Sequence, residues 1–145
     1  MRISIASDHG GVELKEHLVS FLNSKGYETI DFGTNSSESC DYPDFAYKAA
    51  SSVANGESDY GIVICTSGIG VSIVANKVKG VRCALVSAVD EAKTTKEHNH
   101  ANCLALGQKK VSKELAEEIV MAWLETSYGD GRHARRVEKI TKIEE

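Results

Sequence analysis

Short runs of apolar residues alternate along this chain with longer stretches in which apolar positions recur every three or four residues. The short runs are rich in Val and Ile, which is typical of strands buried in a parallel sheet, whereas the longer spacing is typical of amphipathic helices. The strand-like runs are residues 3–7, 27–32, 60–65, 81–86 and 103–106. Their alternation with helical stretches predicts βαβ units that share one sheet.

Helical spacing is present between these runs and after the last of them. The predicted helices are residues 12–22, 43–53, 71–77, 88–98 and 112–123. Gly26 and Gly56 are suited to end helices, and Ser112 is suited to cap one. We therefore predict an α/β fold, a single-domain three-layer α/β/α sandwich over residues 1–145 with a mainly parallel, Rossmann-like sheet of five strands and a C-terminal helical extension over about 132–142.

Composition narrows the class of protein. A chain of 145 residues with 41% hydrophobic residues can bury one full core. The net charge of -4 argues against a nucleic-acid partner, which requires a broad basic surface. No apolar run approaches the roughly 20 residues that a membrane span requires, and no signal-peptide pattern precedes the first strand, so we expect a cytoplasmic protein without membrane contact.

The four cysteines show no C-x-x-C spacing, which disfavours a zinc knuckle and a thioredoxin-type redox pair. Cys83 and Cys103 lie in apolar runs and are expected in the core. Cys40 lies in a polar segment without a sign of chemistry. Reduced thiols in a cytosol are the simplest interpretation.

Cys65 differs from the other three because it ends an apolar run and precedes a glycine-bearing turn that opens a helix. Backbone N–H groups at a helix start attract anions and favour the thiolate form of a nearby thiol. The alternative is a small core residue at the end of a strand. A C-x5-R phosphatase loop is excluded because Val71 stands where the arginine is needed, so a thiolate that accepts a proton, assisted by Ser67, remains open.

Asp8 and His9 follow the first strand and precede a glycine pair. Ligands of open α/β sheets bind outside the carboxyl ends of the strands, so we expect both side chains on the same rim as Cys65. Asp8 could also serve only as a helix cap.

His98 ends the fourth predicted helix. A metal cluster with His100 is disfavoured because residues two apart do not share a helix face. His98 could complement the helix dipole, or act as an acid/base group if it lies on the rim with Cys65. His17 and His133 are expected at the surface.

Arg132 and Arg136 stand four residues apart and would share one face of a terminal helix. Two guanidiniums on one face suit a phosphate group. The alternative is a solvated basic face balanced by nearby glutamates.

Together these motifs resemble the type B ribose-5-phosphate isomerases and their relatives, the galactose-6-phosphate and allose-6-phosphate isomerases. The resemblance covers nearly the whole chain. The matching segments are residues 7–11, 41–43, 65–70, 75–77, 98–99 with Asn102, and 131–133 with Arg136.

The resemblance implies a cofactor-free, metal-free aldose-ketose isomerase that interconverts D-ribose 5-phosphate and D-ribulose 5-phosphate through an enediolate, in the pentose phosphate pathway. Isomerisation of allose 6-phosphate or galactose 6-phosphate is the alternative substrate class. A noncatalytic nucleotide-binding module is the alternative from the residues alone, although the G-x-G-x-x-G fingerprint is missing.

Residue roles follow from the same resemblance. Cys65 is expected to be the base, Ser67 to assist at the reacting oxygens, and His98, with Asp8 close by, to open the sugar ring. His9, Arg132 and Arg136 resemble phosphate ligands. The substrate contacts implied are Asp8, His9, Thr66, Ser67, Gly68, Ile69, Gly70, Asn99, Lys109, Arg132 and Arg136.

The resemblance also implies a homodimer, or a dimer of dimers, with the site between two subunits. Some members of the family use a glutamate further along the loop after Cys65. This chain has Val74 and Ala75 in that region, which places it with the cysteine-dependent branch.

Overall fold

Five parallel strands form one sheet in the computed structural model, which describes residues 1–145. The strands are β1 (Arg2–Ser7), β2 (Glu28–Asp31), β3 (Tyr60–Cys65), β4 (Cys83–Leu85) and β5 (Cys103–Gly107). Their order across the sheet is β2-β1-β3-β5-β4, and every neighbouring pair is parallel. The prediction of a mainly parallel sheet is confirmed, and no antiparallel pair is present.

Six α-helices surround the sheet: α1 (Val12–Ser24), α2 (Tyr42–Ala54), α3 (Ile69–Asn76), α4 (Val89–Asn99), α5 (Lys113–Glu125) and α6 (Arg132–Ile143). A short 3-10 turn, His9–Gly11, precedes α1. None of the helices combines the length and the apolar character needed to cross a membrane.

The two faces of the sheet carry different cores, because side chains alternate along each strand. Ile62 and Ile64 of β3 point into a core of large residues shared with α1, α4 and α5. Val63 and Cys65 point into a second core, in which α2 contributes mainly alanines and α3 contributes Val71 and Ala75. The predicted three-layer sandwich is therefore confirmed, with α2 and α3 packed on the face of Cys65.

The predicted bounds differ most at the edges of the sheet. The run 81–86 yields only Cys83–Leu85, and the run 27–32 yields Glu28–Asp31, because each edge strand has a ladder partner on one side only. The third helix begins at Ile69, two residues before the predicted start, because Gly68 adopts the left-handed conformation that lets the chain turn directly into α3.

This topology separates two ends of the sheet. The loops after β1, β3 and β5 lie at the carboxyl edge, whereas a helix that connects two parallel strands runs back and ends at the amino edge. Helix α6 packs against α4. A residue near the end of α4 therefore lies far from a residue that follows β1 or β3.

Candidate active site

Cys65 lies at the carboxyl end of β3 and is 6% exposed. Its Sγ accepts a hydrogen bond from the backbone N–H of Gly68 at 3.1 Å. Gly68 has φ +80, and a Cβ there would lie 2.8 Å from the carbonyl carbon of Leu106. The loop therefore closes on Cys65 only with glycine at this position, and it aims a backbone N–H at the sulfur, where that N–H stabilises negative charge.

Ser67 is half-buried in the same loop, and its hydroxyl oxygen accepts the N–H of Ile69 at 3.1 Å. This contact occupies a lone pair and leaves the hydroxyl proton available to a substrate oxygen. In the first turn of α3 the N–H groups of Gly70 and Val71 have no acceptor within the helix. The start of α3 thus offers a hydroxyl and unpaired N–H groups beside the thiol.

The β1–α1 connection borders this loop. Asp8 is buried, and its Oδ1 accepts the N–H of Gly10 at 2.9 Å, so it does cap the 3-10 turn. A Cβ on Gly10 would lie 2.2 Å from the hydroxyl oxygen of Thr66, which shows how closely the two loops approach. His9 is exposed, and its Nδ1 accepts the N–H of Cys40 at 3.2 Å. Asp8, His9 and Cys65 share one rim, as the sequence predicts.

Lys109 follows β5 on the same rim. It is exposed, and its backbone N–H donates to the carbonyl of Thr66 at 3.1 Å. A cavity of about 330 Å³ opens beside the loop, between the ends of β3, β4 and β5. Its polar lining consists of Ser67, Ser87, Glu91 and Lys110. We call residues 8–10, 65–70 and Lys109 the carboxyl-edge half-site.

His98 and Asn99 do not belong to this rim. They form the end of α4, which starts after β4 and runs to the amino edge before β5. Strand β3 has 6 residues, so the two edges lie roughly 20 Å apart. The expectation that His98 shares the rim of Cys65 and lies close to Asp8 is wrong within one chain, because a crossover helix ends at the edge opposite to the one where it began.

Arg132 and Arg136 lie on α6 at the same amino edge as His98, and both are exposed. Between them in sequence, His133 is buried against α4, and its ring stacks on that of His98 with centroids 4.2 Å apart. The expectation of a surface His133 is wrong. We call His98, Asn99, Arg132 and Arg136 the amino-edge half-site.

Several charges surround His133. Burial lowers its pKa, and His98, Arg132 and Arg136 lower it further, while Glu97 acts in the opposite direction. The His133 imidazole, which stacks on His98, is therefore favoured in its neutral form.

Glu97, His98 and His133 place their ligand atoms within 4.8 Å of one another. The two imidazole planes are inclined by only 15°. Imidazole lone pairs lie in the ring plane, so two nearly parallel stacked rings do not direct them to a common point. The cluster as arranged does not have the geometry of a metal centre.

Sequence reasoning missed part of this arrangement, although usable signals were present. The βαβ connectivity alone sends the end of α4 to the amino edge. The spacing of His133 and Val137, four residues apart, marks the buried face of α6, which the structure confirms.

Known proteins resemble this chain over nearly its whole length. The family model of the Ribose/Galactose Isomerase family matches residues 3–140. Ribose-5-phosphate isomerase B of Escherichia coli is 47% identical over 99% of this chain and 97% of the relative.

Two solved structures are also similar. Ribose-5-phosphate isomerase B of Clostridium thermocellum has a TM-score of 0.98 and 53% identity, over 99% of this chain and 97% of that one. The Mycoplasma genitalium ribose-5-phosphate isomerase B, solved with bound ribulose-5-phosphate, has a TM-score of 0.94 and 41% identity, over 99% of this chain and 95% of that one. With a family match over nearly its full length and relatives that share its whole fold, the chain belongs to the Ribose/Galactose Isomerase family.

Proposed function

We propose that this protein is an aldose-ketose isomerase that interconverts D-ribose 5-phosphate and D-ribulose 5-phosphate. The observation that carries the proposal is the Cys65 thiol, held at the start of α3 with the Gly68 N–H aimed at its sulfur. The relatives support the choice of substrate, since the Escherichia coli and Clostridium thermocellum proteins are ribose-5-phosphate isomerases. The six-carbon sugar phosphates are not favoured.

In the proposed reaction the Cys65 thiolate removes the proton from C2 of the open-chain aldose. The electron pair of that C–H bond forms a C1–C2 double bond, and the carbonyl pair of C1 moves onto O1. The enediolate is stabilised by the free N–H groups of α3 and by the Ser67 hydroxyl, because fixed donors stabilise charge that develops in a transition state. The electron pair of the C1–C2 double bond then takes the proton back from the Cys65 thiol at C1, a carbonyl forms at C2 as O2 gives up its hydroxyl proton, and that proton is transferred to O1.

Ring opening and phosphate binding are assigned to the amino-edge half-site, together with His9 and Lys109. His98 acts as the acid/base group that opens the furanose ring, and Arg132 and Arg136 hold the phosphate by forked hydrogen bonds. Asn99 contacts the substrate. One small sugar phosphate cannot touch both half-sites of one chain, which lie roughly 20 Å apart across the sheet.

We infer that a second copy of the chain completes each site. Tyr47 on α2 is 59% exposed, and Ile69 and Ile73 on α3 are 53% and 56% exposed. Large exposed apolar side chains on adjacent helices mark an association surface. Because Ile69 begins α3 directly after the loop that follows Cys65, a copy docked on this surface would reach the rim with its own amino edge. A homodimer with two shared sites is the smallest assembly that satisfies this arrangement.

The first experiment measures ketose formation from ribose 5-phosphate by the purified protein in EDTA, with allose 6-phosphate and galactose 6-phosphate as comparison substrates. We expect turnover of ribose 5-phosphate with the highest kcat/KM. Turnover of a six-carbon substrate with a higher kcat/KM would reassign the substrate, and no turnover of any of them would overturn the isomerase proposal.

The shared site is tested by mixing two inactive variants, Cys65→Ala and His98→Gln, under conditions that exchange subunits. Half of the randomly formed dimers pair the two variants, and each of these contains one intact site, so about one quarter of the wild-type activity should return. A mixture that stays inactive although mass spectrometry shows exchanged subunits would contradict the shared site.

A further inference from the structure

The turn that carries His98 and Asn99 is held by contacts from outside α4. Arg82 donates from Nε to the carbonyl of Asn99 at 3.0 Å and from Nη2 to the carbonyl of His100 at 3.0 Å. These bonds occupy carbonyls that the end of a helix leaves without partners. His100 has φ 48 and ends the helix in the left-handed conformation. The backbone next to His98 is therefore fixed on its carboxyl-terminal side.

On the amino-terminal side the corresponding contact comes from Lys96, two residues before His98. Lys96 is 3% exposed, and its Nζ donates to the carbonyl of Trp123 at 3.0 Å. The ammonium also lies 4.3 Å from the ring centroid of Tyr60 and 5.4 Å from that of Trp123. No carboxylate pairs with it. The cation is thus held by a carbonyl dipole and two aromatic faces.

An ammonium group buried in this way is unfavourable by itself. Burial lowers the pKa of Lys96, which reports the loss of hydration of the charged form. An apolar residue of similar volume fills such a position at lower cost. The contacts that Lys96 makes therefore call for an explanation beyond stability.

Trp123 connects the two sides of the turn. Its carbonyl accepts Lys96, and its indole Nε1 donates to the carbonyl of Ala101 at 3.0 Å. Residues 97–100 are consequently held between two anchors on a single residue of α5. Tyr60 packs edge-on against the indole with centroids 5.0 Å apart, which connects the same anchor to β3.

We propose that Lys96 is a positioning residue that, anchored on Trp123, sets the direction in which the last turn of α4 presents the His98 imidazole to substrate. This inference rests on the ring-opening role proposed for His98. The role demands a fixed direction, because His98 must meet a substrate whose reacting carbons lie at Cys65 of another copy of the chain. A misplaced acid/base group slows only the steps in which it takes part.

Substrate chemistry separates this role from a structural one. Ribose 5-phosphate is mainly a furanose that must be opened, whereas ribulose 5-phosphate cannot close a five-membered ring because its C5 oxygen carries the phosphate. In Lys96→Met we expect kcat/KM for the interconversion to fall roughly tenfold in both directions, as the fixed equilibrium constant requires, whereas exchange of the C1 protons of ribulose 5-phosphate with D2O, followed by NMR, should fall less than about twofold because it needs no ring step. This difference between interconversion and proton exchange is the asymmetry expected of a positioning residue for His98. Lys96→Arg, which keeps a cation above the rings, should retain most activity in both directions. Lys93→Met, an exposed lysine of α4, is the matched control and should resemble the wild type.

Equal losses of interconversion and of C1 proton exchange, together with a lower Tm, would assign Lys96 to stability alone and overturn the proposal, as would full activity of Lys96→Met. If Lys96→Met does not fold, Lys96→Gln, which keeps an N–H donor, takes its place with the same expected asymmetry. His98→Gln is measured in parallel. If His98→Gln lacks the asymmetry, the proposed role of His98 fails and the inference on Lys96 fails with it. If only His98→Gln shows it, the inference on Lys96 fails alone.

Discussion

The two half-sites of this chain differ in composition: backbone turns form one of them, and side chains on helix surfaces form the other. The carboxyl-edge half-site is made of tight backbone turns, in which Gly10 and Gly68 leave no room for a Cβ and in which N–H groups fix Asp8 and Cys65. The amino-edge half-site consists of side chains on the surfaces of α4 and α6. The difference matches the proposed division of chemistry: the carbon-bound proton is moved where atoms cannot drift, whereas phosphate is held by the long, charged side chains of α6, whose field tolerates small displacements. Within the amino-edge half-site only His98 needs a fixed direction, which the anchored turn at the end of α4 provides.

Replacement of the proposed base, Cys65, should have the largest effect on activity. In Cys65→Ala, kcat should fall by roughly 10³-fold, since a positioned general base contributes about 10²–10⁴. The fold should persist because the substitution removes one atom from a loop that its backbone bonds still hold. Cys83→Ala, outside both half-sites, is the control. The measurement is the rate of ketose formation. If the variant kept more than about a tenth of wild-type turnover, the role of Cys65 as the base would be contradicted.

A backbone change comes next. In Gly68→Ala the new Cβ would meet the backbone of Leu106 and Gly107 at a φ of +80, so we expect the free energy of unfolding to drop by about 1–3 kcal/mol and kcat to fall with it. Gly56→Ala is a matched control, since Gly56 has φ +82 with nothing within 4 Å of its Cβ position. It should lose about 1 kcal/mol of stability and no activity. Equal kinetics in the two variants would show that the carboxyl-edge half-site tolerates displacement after all.

The two arginines of the amino-edge half-site should affect KM rather than kcat. Arg132→Ala and Arg136→Ala should each raise KM for ribose 5-phosphate roughly tenfold, because a charge-assisted hydrogen bond to phosphate contributes about 1.5–3 kcal/mol, and kcat should change little. Arg135→Ala, an exposed arginine of the same helix, is the control. Steady-state kinetics that show a loss in kcat alone would remove both arginines from the phosphate contacts.

The smallest expected effect is a dependence of stability on pH that arises at the amino edge. Burial lowers the pKa of His100 and of His133, and cations lower both further, Arg82 and Lys96 in the case of His100. The folded chain therefore binds fewer protons than the unfolded chain once pH falls below about 6.5. Stability should be greatest above that pH and should decline as the solution is acidified toward the lowered pKa values.

Urea titrations at a series of pH values measure this decline. His100→Asn keeps a residue that tolerates the left-handed conformation but removes one titrating group. Its unfolding midpoint should therefore vary less with pH than that of the wild type. An unchanged slope would exclude His100 as a source of the effect.

The central strands and the carboxyl-edge half-site could be predicted from the sequence because both depend on local signals. The apolar run 60–65 corresponds to Tyr60–Cys65, and the Cys65–Gly70 turn follows directly from the change of periodicity. The family assignment was available for the same reason, since its motifs are contiguous segments, and the comparisons confirm it.

The amino-edge half-site depends on pairings between distant segments, and these could not be predicted in the same way. The stacking of His98 on His133 joins α4 to α6, and the burial of Lys96 requires Tyr60 and Trp123 from two further elements. Periodicity describes one segment at a time, so it marked Lys96 as neither buried nor constrained. The role of each site residue remains a prediction that the experiments above address.

The short edge strands of the sheet also restrict how copies of this protein can meet. Strand β4 has 3 residues and β2 has 4, with exposed Glu28 and Asp31 at its two ends. Such edges offer few free backbone groups to another strand, which suppresses the edge-to-edge growth that leads to fibres and aggregates. The proposed association of copies is consequently left to helix faces, where it can end at a closed pair. The same brevity that made these strands hard to delimit in the sequence thus favours a defined assembly over open-ended polymerisation.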